Sequence, residues 1–223
     1  MILSNYSKPG RNLFPVLLTF CFLLISQIMC IAQYRPALLF REDWKETPPA
    51  IPVTQEHVTN KGLMLNLYGT GRDSIKKSHH DHPSDDPYYI WSGLCKGNWA
   101  VTLRHEGLLF DLSEYAKIKW RSKQSGFRNL HLILKLADGT WLVSDRNDDH
   151  SKDWRIHEFN IMDITWYLLN IKGIYEEKPV EQPDLSKVDE IGFTDLMPGG
   201  MSEACSRVDW IEVYGKSQKR NSK

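Results

Sequence analysis

The sequence predicts an all-β protein, an antiparallel β-sandwich of the jelly-roll type, on three observations. Residues 130–137 set Leu130, Leu132, Leu134 and Leu136 at every second position with His131, Ile133, Lys135 and Ala137 between them, the period of a strand with one buried side. Asp138 and Gly139 follow as a two-residue hairpin turn, and Trp141, Leu142 and Val143 return, so that Leu136 is expected opposite Trp141 and Leu134 opposite Val143. Eight or more short strand-like runs fill the remaining chain, with turn residues about every ten positions and no convincing long helix.

Taken in order, residues 37–40 open a first strand, which a proline-rich stretch at 48–52 stops. Residues 62–68 alternate Leu63, Leu65 and Leu67 with Met64 and Asn66. A long polar loop is expected over 73–87, followed by an aromatic, β-prone segment of Tyr88, Tyr89, Ile90 and Trp91. In 99–105, Trp99, Val101 and Leu103 share one face while Ala100, Thr102 and Arg104 take the other; before the central hairpin, Ile118 and Trp120 alternate with Lys117, Lys119 and Arg121. Residues 154–159 read as a strand of undecided facing, and 160–170 as a strand pair or a short helix. Runs at 188–193 and 207–214 close the fold, the latter with Val208, Trp210, Glu212 and Tyr214 alternating against Asp209, Ile211 and Val213. Residues 216–223 are expected as a frayed basic tail.

Lys8 and Arg11 precede an apolar run, and Ala32 stands before a cleavage point at Gln33, so residues 1–32 read as a signal peptide that leaves no stable membrane anchor once removed. An uncleaved anchor is the alternative, since the apolar character continues to Ile31. A single domain over 33–215, secreted or periplasmic, is the expected mature protein. Residues 1–32 hold Lys8 and Arg11 and no acid, so the mature chain carries 26 Lys+Arg against 28 Asp+Glu, a balance that points away from nucleic acid. Cys95 and Cys205 are the cysteines that remain, and an oxidising compartment suggests a disulfide between them; two separate buried thiols are the alternative.

Three constellations carry candidate chemistry. Residues 76–82, with His79, His80 and His82 among them, suit a solvated loop or a sugar contact, and His80 and His82 would converge on a metal ion if the backbone there is extended. Arg104, Lys119, Arg121, His131 and Lys135 all stand opposite the apolar positions of their strands; were the strands neighbours, they would form one basic face for a carboxylate or sulfate, flanked by Tyr88, Tyr89 and Trp91 as platforms for sugar rings. An ordinary solvated sheet face explains the same pattern. The third constellation is acidic, with Glu42 and Asp43 early and Asp209 and Glu212 late.

Asp111-Leu112-Ser113 before a strand, the Asp138-Gly139 hairpin, Trp154 opening the next strand, Asp184-Leu185-Ser186 before 188–193, and the closing VDWIEVYG together resemble the galactose-binding-like jelly rolls of several carbohydrate-binding module families and of the domain named for complex I intermediate-associated protein 30. The resemblance covers residues 37–215. It implies a β-sandwich that binds a polysaccharide and a structural calcium where early and late strands meet, with Glu42 and Asp209 as its candidate ligands. The leading expectation is a secreted carbohydrate-binding protein whose basic, aromatic-flanked face takes a glycan, an anionic one included. Alternatives are a polysaccharide-active enzyme, a lyase using His79, His80, Tyr88 and Arg104 or a glycoside hydrolase, and a structural assembly domain.

Overall fold

The computed structural model describes residues 35–94, 96–199 and 201–220. The expected signal peptide over 1–32 and its cleavage point lie outside the described residues, as does Cys95. Among the described residues, fourteen antiparallel strands form two layers linked along one side. The first layer contains β1 (Ala37–Glu42), β3 (Lys76–Ser78), β4 (Tyr89–Trp91), β7 (Lys117–Gln124), β10 (Arg155–Asn160) and β14 (Ser206–Lys219). Its spine is β14, paired with β7 on one side and with β1 and β4 on the other; β10 flanks β7, and β3 flanks β4.

The second layer runs in the order β2 (Leu63–Tyr68), β5 (Ala100–His105), β13 (Val188–Thr194), β8 (Leu130–Leu136), β9 (Trp141–Asp148), β11 (Trp166–Asn170) and β12 (Tyr175–Val180). The short β6 (Leu108–Asp111) joins the layers, pairing with the far end of β14 and touching β13 at Phe110–Val188. The antiparallel β-sandwich expected of a jelly roll is therefore present.

Alternation explains most of the core. On β7, Ile118 and Trp120 are fully buried, while Lys117, Lys119 and Arg121 point away. Trp120 meets Phe193 of the opposite layer edge-on at 5.8 Å and Phe159 at 4.6 Å, and Phe40 meets Phe110 at 5.4 Å. Such ring pairs add about 0.5–1.5 kcal/mol each beyond the area they bury. Leu132 and Leu134 of β8 and Val101 and Leu103 of β5 close the core from the second layer.

Several expectations are corrected. The central hairpin pairs Lys135 with Trp141, Leu134 with Leu142 and Ile133 with Val143, one residue away from the expected register. The turn has three residues, closed by Leu136 N–H to the Thr140 carbonyl at 2.8 Å, with Gly139 at φ +95°. One step of register exchanges the two faces of a strand, so Trp141 stands on the outer face. On β14, an irregularity between Val208 and Trp210 breaks the expected alternation: Val208, Ile211 and Val213 face the core, while Asp209 and Trp210 both leave it.

The expected tail is in fact strand as far as Lys219, because β14 runs on past Gly215 to pair Lys216–Lys219 with β6. Within the expected polar loop, Lys76–Ser78 forms β3. Residues 160–170 resolve into a 3-10 turn, Ile161–Asp163, followed by β11. On β10 the facing is now plain: Phe159 is core, and Ile156 and Glu158 are exposed.

Candidate functional site

The outer face of the second layer carries the densest chemistry. Register sets Met64, Arg104, Glu190, Lys135 and Trp141 in one cross-strand row over β2, β5, β13, β8 and β9. The next row holds Asn66, Thr102, Gly192, Ile133, Val143 and Tyr167. Directly opposite residues share a face, so these side chains stand side by side on one surface. Gly192 is required at its centre: a Cβ there would come within 1.9 Å of the Val101 carbonyl oxygen.

Glu190 is 2 % exposed although it lies on an outer face. Its Oε2 accepts from Thr102 Oγ1 at 2.5 Å, Tyr68 Oη at 2.8 Å and Asn66 Nδ2 at 3.2 Å, and its Oε1 from Lys135 Nζ at 2.8 Å. The carboxylate is thus fully engaged, which is what keeps a buried charge tolerable. Burial and the neighbouring Glu190 both push the Tyr68 hydroxyl well above its ordinary range. An irregularity between Val188 and Glu190 places Asp189 beside this row. Burial pushes Asp189 up, but Arg104 Nε at 2.9 Å and Arg220 Nη2 at 2.5 Å outweigh it and hold the carboxyl below its usual range.

Aromatic rings border this polar strip. Tyr68 and Trp141 meet edge-on at 5.0 Å, both half-buried, and Lys135 Nζ lies 5.5 Å from the Trp141 ring. Beneath them a small second core of Ala100, Ile133, Val143, Leu169 and Ile174 occupies the same face. Beyond Tyr68 an open depression of about 510 Å³ continues past Thr70, Asp73, Ile171 and Lys172. Rings beside fixed donors and acceptors suit a ligand with alternating apolar faces and hydroxyl edges.

The sequence-predicted basic face divides between the layers. Arg104, His131 and Lys135 lie on the second layer; Lys119 and Arg121 lie on the outer face of the first, because β7 belongs to that layer. Four of the five are already ion-paired: Arg104 with Asp189, Lys135 with Glu190, Lys119 with Glu158 at 2.9 Å and Arg121 with Asp209 at 2.7 Å. His131 Nδ1 lies 2.9 Å from the Ser144 carbonyl oxygen, and burial lowers its pKa.

The histidine-aromatic group does not converge either. His79 stacks on Tyr88 at 4.0 Å, His80 Nδ1 lies 2.9 Å from Asp86 and 3.2 Å from the Tyr89 hydroxyl, and His82 is exposed in the loop. Trp91 is half-buried on β4. Arg104 stands on the other layer, so the lyase set of His79, His80, Tyr88 and Arg104 shares no site. Glu42 and Asp209 share none for calcium. Glu42 points inward, fully buried, and its oxygens accept the N–H groups of Trp44, Thr59 and Asn60 at 2.7–2.9 Å; Asp209 points outward to Arg121. Burial raises the pKa of both, against those bonds. Among the described residues no group of three or more His, Cys, Asp or Glu side chains is arranged to hold a metal ion. Cys205 is a buried free thiol, its sulfur 3.2 Å from Ser125 Oγ.

Sequence reasoning missed Tyr68, Trp141, Asp189 and Glu190. Alternation in 62–68 already placed Asn66 off the core, and one more step along that strand reaches Tyr68. Glu190 carried no such signal, because the irregularity in β13 shifts its phase.

No protein-family model and no curated protein matches the sequence. Among solved structures, the chain is similar to a family 11 carbohydrate-binding module of a cellulosomal cellulase of Clostridium thermocellum, with TM-score 0.44 and 13 % identity over 81 % of this chain and 95 % of that one. It is also similar to that organism's family 11 module in complex with a β-1,3-1,4-mixed-linked tetrasaccharide (TM-score 0.41, 14 % identity, 77 % and 98 % covered). An exo-β-agarase is a further match (TM-score 0.43, 9 % identity), with 74 % of this chain covering 24 % of that chain.

Proposed function

We propose that the protein is a non-catalytic carbohydrate-binding module, exported by the leader expected over 1–32, and that it holds a polysaccharide on the outer face of the second layer. The observation that carries this reading is the half-buried Tyr68–Trp141 pair standing beside the Glu190 network. The two rings supply apolar surface for pyranose faces; Asn66, Lys135 and Arg104 supply donors for hydroxyl edges at low reorganisation cost, because Glu190 and Asp189 already hold them. No nucleophile or acid–base pair is needed for such retention.

The test is affinity electrophoresis and calorimetry on a panel of neutral and acidic glycans, with parallel assay for new reducing ends and unsaturated products. Trp141→Ala and Tyr68→Ala are expected to weaken retention of the bound glycan by about 1–3 kcal/mol each while the protein stays folded. Unchanged retention in both variants would refute the assignment of the face, and product formation would refute the non-catalytic reading.

A further inference from the structure

The first layer carries a second row, unrelated to the Glu190 face. Register places Lys76 of β3 opposite Trp91 of β4, Trp91 opposite Arg207 of β14, and Arg207 opposite Lys123 of β7. All four are partly exposed and share the outer side of that layer, where the strand spacing makes the row about 14 Å long. Lys76 Nζ lies 4.6 Å and Arg207 Cζ 5.7 Å from the centre of the Trp91 ring.

This row differs from its neighbours in what balances its charge. Elsewhere on the same face Arg121 is engaged with Asp209, Lys117 and Lys119 with Glu158, and Arg41 with Asp43 and Glu212. Among the described residues, neither Lys76, Arg207 nor Lys123 is ion-paired to a carboxylate. Arg207 and Lys123 moreover stand directly opposite each other, a like-charge arrangement that costs stability in a sheet. A row with three unbalanced cations and one indole is thus a surface whose charge an external anion would complete.

We propose that this row is a second glycan-binding surface, specific for the carboxylate or sulfate groups of an acidic polysaccharide. The half-buried Trp91 ring packs against Lys76 and Arg207 and keeps the cations in line, so that they reach anionic substituents on successive sugars. The open strand face suits an extended chain better than a pocketed small ion. A nucleic acid is the poorer fit: the row offers only three cations and one ring, and the sequence holds 28 basic against 28 acidic residues. The proposal is independent of the Tyr68–Trp141 site, which lies on the other layer.

The experiment measures binding of the intact protein to dextran sulfate, polygalacturonate, uncharged dextran and single-stranded DNA, at low and at physiological salt. Wild type is expected to bind at least one of the two anionic polysaccharides, more weakly as salt rises, and to discriminate against both uncharged dextran and DNA. Arg207→Ala and Lys123→Ala should each lower that affinity about tenfold, as a lost charge-assisted hydrogen bond would, with Arg207→Lys retaining part of it. Lys178→Gln, at an exposed position of β12 outside both proposed surfaces, should leave it unchanged. Binding of dextran sulfate but not polygalacturonate identifies sulfate, and the reverse identifies carboxylate. No binding to either acidic polymer, wild-type affinity in both the Arg207→Ala and Lys123→Ala variants, or preference for DNA would overturn the proposal. If Arg207→Ala fails to fold, Lys76→Gln and Lys123→Gln carry the same test from two other strands. Failure of the Tyr68–Trp141 reading would show separately, as Tyr68→Ala and Trp141→Ala variants that retain every glycan as wild type does.

Discussion

Lys135 and Trp141 face each other directly across the β8–β9 hairpin, the amine 5.5 Å from the centre of the indole. That pairing exists because the turn between them holds three residues and ends on a glycine in the left-handed region, Gly139 at φ +95°. A two-residue turn would have moved Trp141 to the opposite face and left the Glu190 strip without its larger ring.

Gly139→Ala should therefore cost about 1 kcal/mol of stability. No atom lies within 4 Å of the added Cβ, so the loss is one of backbone conformation and not of a clash. Urea unfolding measures it, and equal midpoints for the two proteins would show that the turn does not depend on glycine.

The core was legible in the sequence wherever alternation ran unbroken. Ile118 and Trp120, Leu132 and Leu134, and Val101 and Leu103 all face inward as their spacing requires. What escaped was everything set by irregularity. The shifts between Val188 and Glu190 and between Val208 and Trp210 change which side of a strand a residue takes, and such a shift has no signature in residue type. The basic set failed for a related reason: alternation assigns a residue to a side of its own strand, but not the strand to a layer. Arg104 and Arg121 consequently read alike and lie on opposite layers.

Asp148→Ala should destabilise the fold by about 3 kcal/mol or more. The carboxylate is fully buried and accepts from Trp120 Nε1 at 2.9 Å, from Ser122 Oγ, and from Arg155 Nε and Nη2 at 3.0 and 2.6 Å. Its removal strands two buried donors and releases the guanidinium that ties β10 to β9. Equilibrium denaturation should show the loss at pH 7, and a change under 1 kcal/mol would contradict this account of the network.

Asp195 and Arg128 form a buried ion pair at 3.1 Å, each about 1 % exposed. Burial outweighs the attraction of Arg128 and raises the Asp195 carboxyl from 3.8 to about 6. The folded state then binds more protons than the unfolded one between those values, so this group's contribution to stability is present below pH 3.8 and is lost as pH rises through 6. In Asp195→Asn that component of the pH dependence should vanish. Stability curves of the two proteins that stay parallel from pH 4 to pH 7 would refute the assignment.

Lys77 presents the opposite case. It is 1 % exposed on the inward side of β3, its Nζ sits 4.5 Å from the centre of the Tyr88 ring, and no hydrogen-bond partner for it is found among the described residues. Burial lowers the amine from 10.5 to about 8, against a weaker pull from Glu46. Between those values the unfolded chain binds the extra proton, so stability should rise with pH from 8 towards 10.5 and fall again as the pH drops through 8. At pH 7 the folded protein therefore carries a charge that its surroundings disfavour. Lys77→Met keeps the length and apolar stem of the side chain and removes that charge, so it should raise stability at pH 7 by about 2–3 kcal/mol and abolish the rise above pH 8. Urea titrations of both proteins at pH 7, 8, 9 and 10 measure the two effects together. A variant less stable than wild type at pH 7, with the rise above pH 8 intact, would mean that the amine is held by an interaction worth more than its burial costs.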